Sequence, residues 1–453
     1  MARLLFIENR EKTVFWAGIA RLLGGQGHDV AWLVQNPVFA RDLPGRVHRI
    51  PFPRQAELDD GAALAAFPIL ATDRGREHFE AGHAHYLHYA KWIEAILDRE
   101  GPDVVIGEPT LFHELLALEL CDRKSIPFIH PVGERYPSGR FAIFDGASQR
   151  TVLESGDQLD GGVALDLAAR IADGRTIPTY IARGSRIDRL RNRLRWGVTR
   201  SRVIAGRWLG EHYNTPSLRR KLALNRGAKA NLARWTASAS RPPLPARTIL
   251  YPLQMQPENT IDVWGRPDWD QVAIIGRILA VTPDDVAVAV KANPKPYYEL
   301  SDALLDFAAQ EPRVHLLPVE MGMVDALRQV ATGAITVTGT VGYEAVCGRG
   351  RCLSIAHPVL DDHFANFAAP SIEAAAQRLI ADPEAGRGSP EQGARLMQLL
   401  TARSFEGLVS DPVSLPECLA PTNLAYVARA VGLAIEHIGR LEKGPVALRA
   451  PAG

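Results

Sequence analysis

The chain of 453 residues contains only four cysteines, which excludes a small secreted fold held together by disulfides. No apolar run reaches the roughly 18–20 residues that a membrane-spanning helix needs. There is no excess of charge of one sign, because 52 Lys and Arg face 51 Asp and Glu, and this excludes a uniformly basic nucleic-acid-binding protein. The chain becomes polar and charged from Glu8 onward, so we expect no signal peptide. These absences predict a cytoplasmic protein.

The composition is that of a globular protein, with 46% hydrophobic and 23% charged residues. At about 100–200 residues per domain, the length predicts two or three domains. Short apolar runs alternate with helical patterns in both halves, beginning with residues 3–7 and 29–34 and resuming at residue 248. Such alternation is typical of a parallel sheet with helices on both faces. We therefore predict an α/β protein with two doubly wound Rossmann-type domains that face a cleft.

A basic helical insert is predicted between the two halves. Residues 181–234 carry fifteen Lys and Arg against one Asp and one Glu. Apolar residues recur there at helical spacing with tryptophans between them: Ile187, Leu190, Leu194, Trp196, Val198 and Trp208. A basic amphipathic helix suits an anionic membrane surface, and a solvated helix packed on one domain is the alternative. Nucleic acid is not an expected partner, because no RNA- or DNA-binding motif accompanies the charge.

The strongest local signal for a binding site lies at residues 338–344, where a predicted strand ends and a helix begins. Ligands of doubly wound sheets bind beyond the carboxyl ends of the strands. Backbone N–H groups at a helix start suit a phosphate, and Gly339 and Gly342 would let it approach the backbone closely. Glu344 can accept hydrogen bonds from ribose hydroxyls. The alternative is an ordinary helix start with a threonine as N-cap.

Two other loops of the C-terminal half carry candidate ligand-binding residues. Lys291 and Asn293 follow one predicted strand, and a lysine there can neutralise a phosphate or a carboxylate. Gln254, Gln256 and Glu258 follow another strand, and amides pair donors with acceptors in a way that suits a base or a sugar. For both loops the alternative is a plain polar turn.

Three of these motifs, in this order, resemble the capsule polysaccharide biosynthesis proteins, the group that includes the capsular Kdo transferases. The motifs are Leu-Gln-Met-Gln-Pro-Glu from residue 253, Val-Lys-Ala-Asn-Pro from residue 290 and Thr-Gly-Thr-Val-Gly-Tyr-Glu-Ala from residue 338. The resemblance covers about 110 residues, from 249 to 357. Asn293 stands where the family usually has histidine, and the N-terminal half shows no family signature.

The resemblance implies a GT-B fold with an acceptor-binding N-terminal domain (1–180), the insert (181–240), a nucleotide-sugar-binding C-terminal domain (241–420) and a terminal helix with a tail (421–453). It further implies transfer of a sugar to a lipid-linked or polysaccharide acceptor in bacterial surface glycan synthesis, with CMP-Kdo as a candidate donor. The basic insert adds the expectation of a location at the inner face of the cytoplasmic membrane. The nucleotide sugar is then a co-substrate, and no resident cofactor is expected. The candidate donor-binding residues are therefore those of the post-strand loops: Gln254, Gln256, Glu258, Lys291, Asn293, Thr338, Gly339, Thr340, Gly342, Glu344 and His357. His357 follows the fifth predicted strand of the C-terminal half, and its alternative is an ordinary loop histidine.

Glycosyl transfer also needs a group that handles the proton of the acceptor. Glu108 is the first candidate, because it follows a buried strand and precedes Pro109, which favours an extended backbone. We expect burial to raise the pKa of Glu108, as such a role requires. Glu134 is the second candidate, and Glu8 and His113 are weaker ones. For each of them the alternative is a helix-capping or surface role.

We expect no catalytic metal. Histidines cluster at residues 78–88, but only His85 and His88 share one helical face, and no cysteine is near them. We also expect no Asp-x-Asp motif of the kind that holds Mn²⁺ in other glycosyltransferases.

Two other functions fit the same predicted fold. A non-hydrolysing sugar-nucleotide epimerase or a hydrolase would need no acceptor, and it would leave the basic insert without a purpose. A non-catalytic protein of polysaccharide export or assembly would not depend on carboxylates in the cleft, so their mutation would leave activity in cells unchanged.

Overall fold

The computed structural model describes residues 1–58, 62–176, 186–240, 243–293, 296, 298–330 and 332–443. Within these residues the strands are β1 Arg3–Ile7, β2 Asp29–Val34, β3 Arg46–Arg49, β4 Val104–Ile106, β5 Phe128–Gly133, β6 Arg140–Asp145, β7 Thr248–Pro252, β8 Ala287–Lys291, β9 Val314–Leu316, β10 Gly333–Thr336, β11 Cys352–Ser354 and β12 Phe405–Glu406. The α-helices are α1 Thr13–Gly25, α2 Ala62–Ala66, α3 Arg74–Phe79, α4 Tyr86–Glu100, α5 Phe112–Arg123, α6 Gly161–Ala172, α7 Arg186–Trp208, α8 Leu218–Ser238, α9 Asn259–Asp262, α10 Gln271–Ala280, α11 Asp302–Gln310, α12 Met323–Arg328, α13 Val341–Val346, α14 Pro358–His363, α15 Ile372–Ala381, α16 Pro390–Arg403 and α17 Pro421–Lys443.

The N-terminal sheet has seven strands in the order β12-β6-β5-β4-β1-β2-β3. From β3 to β5 all neighbours are parallel, and Leu4 of β1 lies between Val30 of β2 and Val104 of β4. Strand β6 pairs antiparallel with β5, and the edge strand β12 pairs antiparallel with β6. The central strands β1 and β4 are continuous apolar runs, because both faces of a parallel sheet are covered by helices.

The C-terminal sheet has five strands in the order β11-β10-β7-β8-β9, and every pair is parallel. Read from the first strand of each half, both sheets have the order 3-2-1-4-5, with the switch point between the first and fourth strands. This matches the first five strands of the Rossmann order 3-2-1-4-5-6. The prediction of two doubly wound domains is confirmed.

Helices cover both faces of each sheet, and two of them come from distant parts of the chain. The C-terminal α17 packs against α1 on the N-terminal sheet, where Val427 and Val431 join Phe15 and Ile19 in one core. In return, α6 packs against α16 in the C-terminal half. The two packing units are therefore not continuous stretches of the sequence.

The predicted basic helical insert consists of α7 and α8, and it contacts both halves. At the end of α8, the buried indole of Trp235 donates to the carbonyl of Leu317 (2.8 Å), and Asn231 donates to the carbonyl of Leu300 (2.8 Å). Between α7 and α8, the side chain of Asn214 lies 3.4 Å from that of Gln35 in the N-terminal half. Among the described helices, none is both long and apolar enough to cross a bilayer.

Candidate active site

The loops that follow the first and fourth strands of each sheet open into one cavity of about 2240 Å³. Lys12 and Glu108 line this cleft from the N-terminal side, and Gln254 and Gly339 line it from the C-terminal side. The insert helices α7 and α8 form a further wall. Switch points are where doubly wound sheets bind their ligands, so both sheets place their expected binding edge on the same space.

At the N-terminal switch point, the ammonium of Lys12 forms a short ion pair with the carboxylate of Glu108. The Glu108 side chain is 17% exposed. Burial alone would raise the pKa of this carboxyl, but the charge of Lys12, with a smaller contribution from His130, holds the pKa below its ordinary value. The expectation of a raised pKa for Glu108 is therefore wrong, because a lysine 96 residues away in the chain forms an ion pair with it, a contact that no local sequence pattern indicates.

Glu114 lies beneath this pair and was not among the predicted residues. Its Oε1 accepts the backbone N–H of Glu108 (2.9 Å), and its Oε2 accepts the side chain of Asn9 (2.9 Å). Burial, together with the charge of Glu108, raises the pKa of Glu114 to about 8. Glu114 is the third residue of α5 and also accepts the N–H of Leu111, and this helix-start spacing is the signal that could have revealed its position.

Glu134 follows β5 and lines the cleft from the N-terminal side. Burial raises its pKa to about 7, against the opposing charges of Arg403 and Arg135. Arg135 donates to the carbonyl of Thr338 (3.2 Å) and so links the loop of Glu134 to the C-terminal half. Glu134, and not Glu108, has the titration behaviour that we expected of a proton-handling carboxyl.

The two weaker candidates lie behind the cleft wall. The fully buried carboxylate of Glu8 accepts the backbone N–H groups of Arg10 (2.6 Å) and Asn36 (2.8 Å). Nε2 of His113 lies 2.7 Å from the carbonyl oxygen of Glu8. Burial raises the pKa of Glu8 to about 7 and lowers that of His113 to about 4. Their hydrogen bonds hold the loop after β1 in place.

At the C-terminal switch point, the side chain of Gln254 donates to the hydroxyl of Thr338 (2.6 Å). Its amide oxygen accepts the N–H of Thr338 (3.2 Å), and the Thr338 hydroxyl donates to the carbonyl of Thr260 (2.7 Å). Both side chains are buried. This neutral pair joins the loops after β7 and β10, so its polar groups are already used within the protein.

Gln256 is likewise committed to its own loop. Its amide donates to Asp262 (2.6 Å) and to the carbonyl of Trp269 (3.2 Å), and it accepts Gln271 (2.9 Å). Glu258, in contrast, lines the cleft, where its carboxylate accepts the hydroxyl of Thr260 (3.1 Å).

The loop at residues 338–344 divides into two parts. Gly339 and Thr340 line the cleft, and the Thr340 hydroxyl makes no capping hydrogen bond. Gly342 is buried, and a Cβ on it would lie 3.3 Å from Leu360, so this glycine permits internal packing and not the approach of a ligand.

The carboxylate of Glu344, which also lines the cleft, has partners within the protein. It forms an ion pair with Arg349 (2.6 Å) and accepts the hydroxyl of Tyr136 (3.2 Å) from the N-terminal half. Its expected contact with ribose therefore competes with two existing bonds.

Lys291 and Asn293 both line the cleft after β8. The buried ammonium of Lys291 donates to the carbonyls of Ala292 (2.7 Å) and Val319 (3.3 Å). Burial lowers the pKa of Lys291 to about 8, so it carries its charge at neutral pH. Pro294 and Lys295 of the same predicted loop lie outside the described residues.

His357 lies in a separate cavity of about 50 Å³ between the two halves, which Glu134 and Arg403 also line. Its Nε2 is 3.3 Å from the carbonyl oxygen of Gly339, and its ring packs 4.7 Å from that of Tyr343. Burial lowers the pKa of His357 to about 4. The structure thus places His357 behind the 338–344 loop.

The described residues contain no cluster of three or more His, Cys, Asp or Glu side chains that could hold a metal ion. His85 is stacked on Tyr213 with ring centroids 4.0 Å apart, and Nε2 of His88 lies 2.8 Å from the carbonyl oxygen of Pro51.

The expectation that the chain has no Asp-x-Asp motif is wrong, because Asp268 and Asp270 form such a pair. Asp268 pairs with Arg277, and Asp270 caps α10 by accepting the N–H of Val272 (3.0 Å). Both carboxylates are therefore bonded within the protein.

No protein-family model matches the sequence, and a search of curated proteins finds no match. Among solved structures, UDP-GlcNAc 2-epimerase from Methanocaldococcus jannaschii matches with 13% identity and a TM-score of 0.26, over 88% of this chain and 99% of that chain. The calicheamicin glycosyltransferase CalG4 matches with 14% identity and a TM-score of 0.27, over 96% of this chain and 98% of that chain. UDP-GlcNAc 2-epimerase from Neisseria meningitidis, bound to UDP-GlcNAc, matches with 11% identity and a TM-score of 0.27, over 88% and 98%. Because these TM-scores lie below 0.5, the fold assignment rests on the strand order of this chain alone.

Proposed function

We propose that the protein transfers a sugar from a nucleotide donor to a lipid-linked or polysaccharide acceptor in bacterial surface glycan synthesis. The observation that carries this proposal is that two Rossmann-type sheets direct their switch points at one cavity of about 2240 Å³. Pockets for a single small ligand are roughly 300–1,000 Å³, so this cleft has room for a donor and an acceptor together. The resemblance of residues 249–357 to the capsule family supports a donor on the C-terminal side, and CMP-Kdo is the donor that it implies.

On the C-terminal side, the proposed donor-binding residues fall into two groups. Gly339 and Thr340 lie where a phosphate can approach the backbone, and Lys291 supplies a positive charge nearby in the same cleft. Glu258 and Asn293 line the space for the sugar or the base. The remaining predicted residues act indirectly by holding these loops: Gln254, Gln256, Thr338, Gly342, Glu344 and His357.

On the N-terminal side, we assign Glu134 as the general base that takes the proton of the acceptor hydroxyl. A general base works best when its pKa lies near the working pH, and the pKa of Glu134 is about 7. Glu108, which Lys12 keeps ionised, supplies a fixed negative charge in the same cleft. The chemistry that follows is attack of the acceptor oxygen on the anomeric carbon, with departure of the nucleotide phosphate toward Lys291 and the 338–344 loop.

A nucleotide panel tests the proposal. The melting temperature of the protein is measured with CMP, UDP and GDP and with their sugars, and the best donor is then incubated with and without candidate acceptors. We expect nucleotide release that depends on an acceptor. Conversion of the donor sugar without an acceptor would instead establish an epimerase or a hydrolase. Binding of no nucleotide would overturn the proposal.

The insert supports a second part of the same proposal, which is residence at the anionic inner face of the membrane. Arg200, Arg219 and Arg226 on α7 and α8 are exposed, as are apolar side chains beside them. The side chains of residues 186–195, on which the sequence prediction rests most heavily, lie outside the described ones. Co-sedimentation with anionic vesicles should be measurable at low salt and should fall as salt rises. No binding at low salt would exclude this location.

A further inference from the structure

A cluster of cations lines the cleft next to the insert, apart from the proposed donor loops. Arg10 follows β1, Arg74 begins α3, Arg200 lies on α7 and Lys221 lies on α8. Arg10 donates to the carbonyl of Asn214 (3.1 Å) and forms an ion pair of 3.4 Å with its neighbour in the chain, Glu11. Among the described residues, the other three cations have no ion-pair partner, and Nε of Arg74 is buried without a hydrogen bond.

The positive charges of these side chains lie close enough to lower one another's pKa values. Burial lowers the pKa of Arg74, and the charge of Arg10 lowers it further. Burial also lowers the pKa of Lys221, with added contributions from Arg200 and Arg10. The carboxylate next to Arg74 in the chain, Asp73, is committed elsewhere, because it caps α3 and accepts the hydroxyl of Tyr86 (2.8 Å). The charges of Asp73, Glu11 and Glu114 offset part of the positive charge of Arg74. Arg200 and Lys221 are exposed to the cleft, so a bound anion would supply the counter-charge that these two side chains lack.

The wall beside these cations is apolar and exposed to the cleft. On α7, residues at four-residue intervals line the cleft: Trp196, Arg200, Ile204 and Trp208. The three apolar ones are exposed. The Trp208 side chain is 87% exposed. Leu218, Leu222 and Leu232 face the cleft from α8, and Lys221 lies among them. A contiguous exposed apolar surface of this kind marks a binding site for an apolar group.

We propose that this part of the cleft binds an amphipathic acceptor, holding its phosphate or diphosphate with the cation cluster and its apolar chain along α7 and α8. The inference rests on the proposed function, since it names the acceptor of that sugar transfer. Charge complementarity selects the ligand. A neutral polysaccharide could pack on the tryptophans but would leave the cations without a counter-charge, whereas a lipid phosphate contacts both the cations and the apolar wall.

Binding of farnesyl diphosphate to the full chain, measured by calorimetry with the probe below its micelle concentration, tests this inference. Inorganic pyrophosphate and farnesol serve as the two half-ligands. We expect farnesyl diphosphate to bind at least about tenfold more tightly than either, because both the anion site and the apolar wall contribute. If pyrophosphate binds as tightly as farnesyl diphosphate, the apolar wall does not contribute to binding. If farnesol binds as tightly as farnesyl diphosphate, the cation cluster does not contribute. Either result overturns the proposal.

Two variants locate the site. Trp208→Ser should weaken farnesyl diphosphate binding about tenfold and leave pyrophosphate binding unchanged, while Arg200→Gln should weaken both. Both side chains are exposed, so the fold should tolerate the changes. Val163→Ser is the matched control, since Val163 is 55% exposed on α6 and does not line the cleft. If Trp208→Ser and Arg200→Gln bind farnesyl diphosphate as tightly as the wild type does, the proposed location of the site is wrong.

Nucleotide binding by the same samples separates this inference from the proposed function. Nucleotide binding without farnesyl diphosphate binding would overturn the acceptor site and leave the sugar-transfer proposal standing. Binding of farnesyl diphosphate without any nucleotide would overturn sugar transfer and, with it, the acceptor role of this site.

Discussion

The two switch points have the same strand topology, but the two loops that meet at each of them are joined by different kinds of interaction. In the N-terminal sheet, the loops after the first and fourth strands meet through an ion pair between Lys12 and Glu108. In the C-terminal sheet, the equivalent loops meet through the neutral pair of Gln254 and Thr338. An amide and a hydroxyl satisfy each other at little electrostatic cost, whereas a largely buried ion pair responds to a charge that enters the cleft. The comparison suggests that the C-terminal side provides shape and the N-terminal side provides reactivity.

The largest effect that this comparison predicts is on turnover. Glu134→Gln keeps the shape of the side chain and removes its ability to take a proton, so kcat should fall by roughly 10²–10⁴. Donor affinity should hardly change, because Glu134 lies on the N-terminal side. The wild-type rate should rise as the pH passes through about 7, where Glu134 loses its proton, and this rise should be absent from the residual activity of the variant.

Glu108→Gln is the matched control for Glu134→Gln. In the wild type the Glu108 carboxyl has a lowered pKa and is already ionised at neutral pH, so it cannot cause a change of rate near pH 7. It should retain the rise of the rate near pH 7. If Glu134→Gln stays active and Glu108→Gln is inactive, proton transfer belongs to Glu108, the first candidate from the sequence. If both remain active, proton transfer is not performed by these two loops.

The next effect is on stability at the N-terminal switch point. Glu108→Gln leaves the Lys12 ammonium without its counter-charge and should lower the free energy of unfolding by on the order of 3 kcal/mol at pH 7. Because the folded-state pKa of Glu108 is lowered, the wild type has this advantage above the unfolded-state pKa near 4.5 and loses it as pH falls through the folded-state value. Urea denaturation of the wild type and of Glu108→Gln at pH 7 and at pH 4 measures the difference in their free energies of unfolding. The same difference at the two pH values would rule out an electrostatic origin.

A smaller stability loss is expected at the C-terminal switch point. Thr338→Val removes the hydroxyl between Gln254 and the carbonyl of Thr260, which should cost about 1–3 kcal/mol at any pH from 5 to 9. Nucleotide affinity should change less than about threefold in a folded sample, since the Thr338 side chain is buried. A large loss of affinity with little loss of stability would show that Thr338 contacts the ligand directly.

The smallest predicted effect is on the pH dependence of nucleotide binding. Lys291 loses its charge as the pH rises through about 8, so the Kd for the nucleotide should increase several-fold between pH 7 and pH 9. Lys291→Gln has no charge to lose, and its Kd should be weaker at pH 7 and flat across this range. A wild-type Kd that is constant up to pH 9 would exclude a contact between Lys291 and the phosphates.

Much of the fold could be predicted from the sequence, because apolar runs followed by polar loops mark parallel strands locally. The same pattern predicts the loops after β1, β4, β7, β8 and β10 that line the cleft, whereas the predicted His357 lies in a separate cavity. Which loop residues are free to bind a ligand depends instead on strand order. Gln254 and Thr338 are 84 residues apart and pair only because β7 and β10 are neighbours. The position of Gly342 against Leu360 is equally non-local.

The charges of the N-terminal side were still harder to predict. Lys12 and Glu108 come together across the switch point, and their contact reversed the expected direction of the Glu108 pKa shift. The position of the insert relative to the cleft was also not predictable from the sequence. Its helical pattern and positive charge were evident from the sequence, but only the packing shows that Trp196 and Trp208 line the cleft.

A crystal structure with the nucleotide that stabilises the protein most tests the central claim most directly. The account predicts phosphate oxygens within hydrogen-bond distance of the backbone at Gly339 or Thr340 and close to the ammonium of Lys291, with the sugar side of the cleft facing Glu134. The Gln254–Thr338 pair should remain intact. A nucleotide bound on the N-terminal side near Lys12, or outside the cleft, would contradict the division of roles between the two switch points.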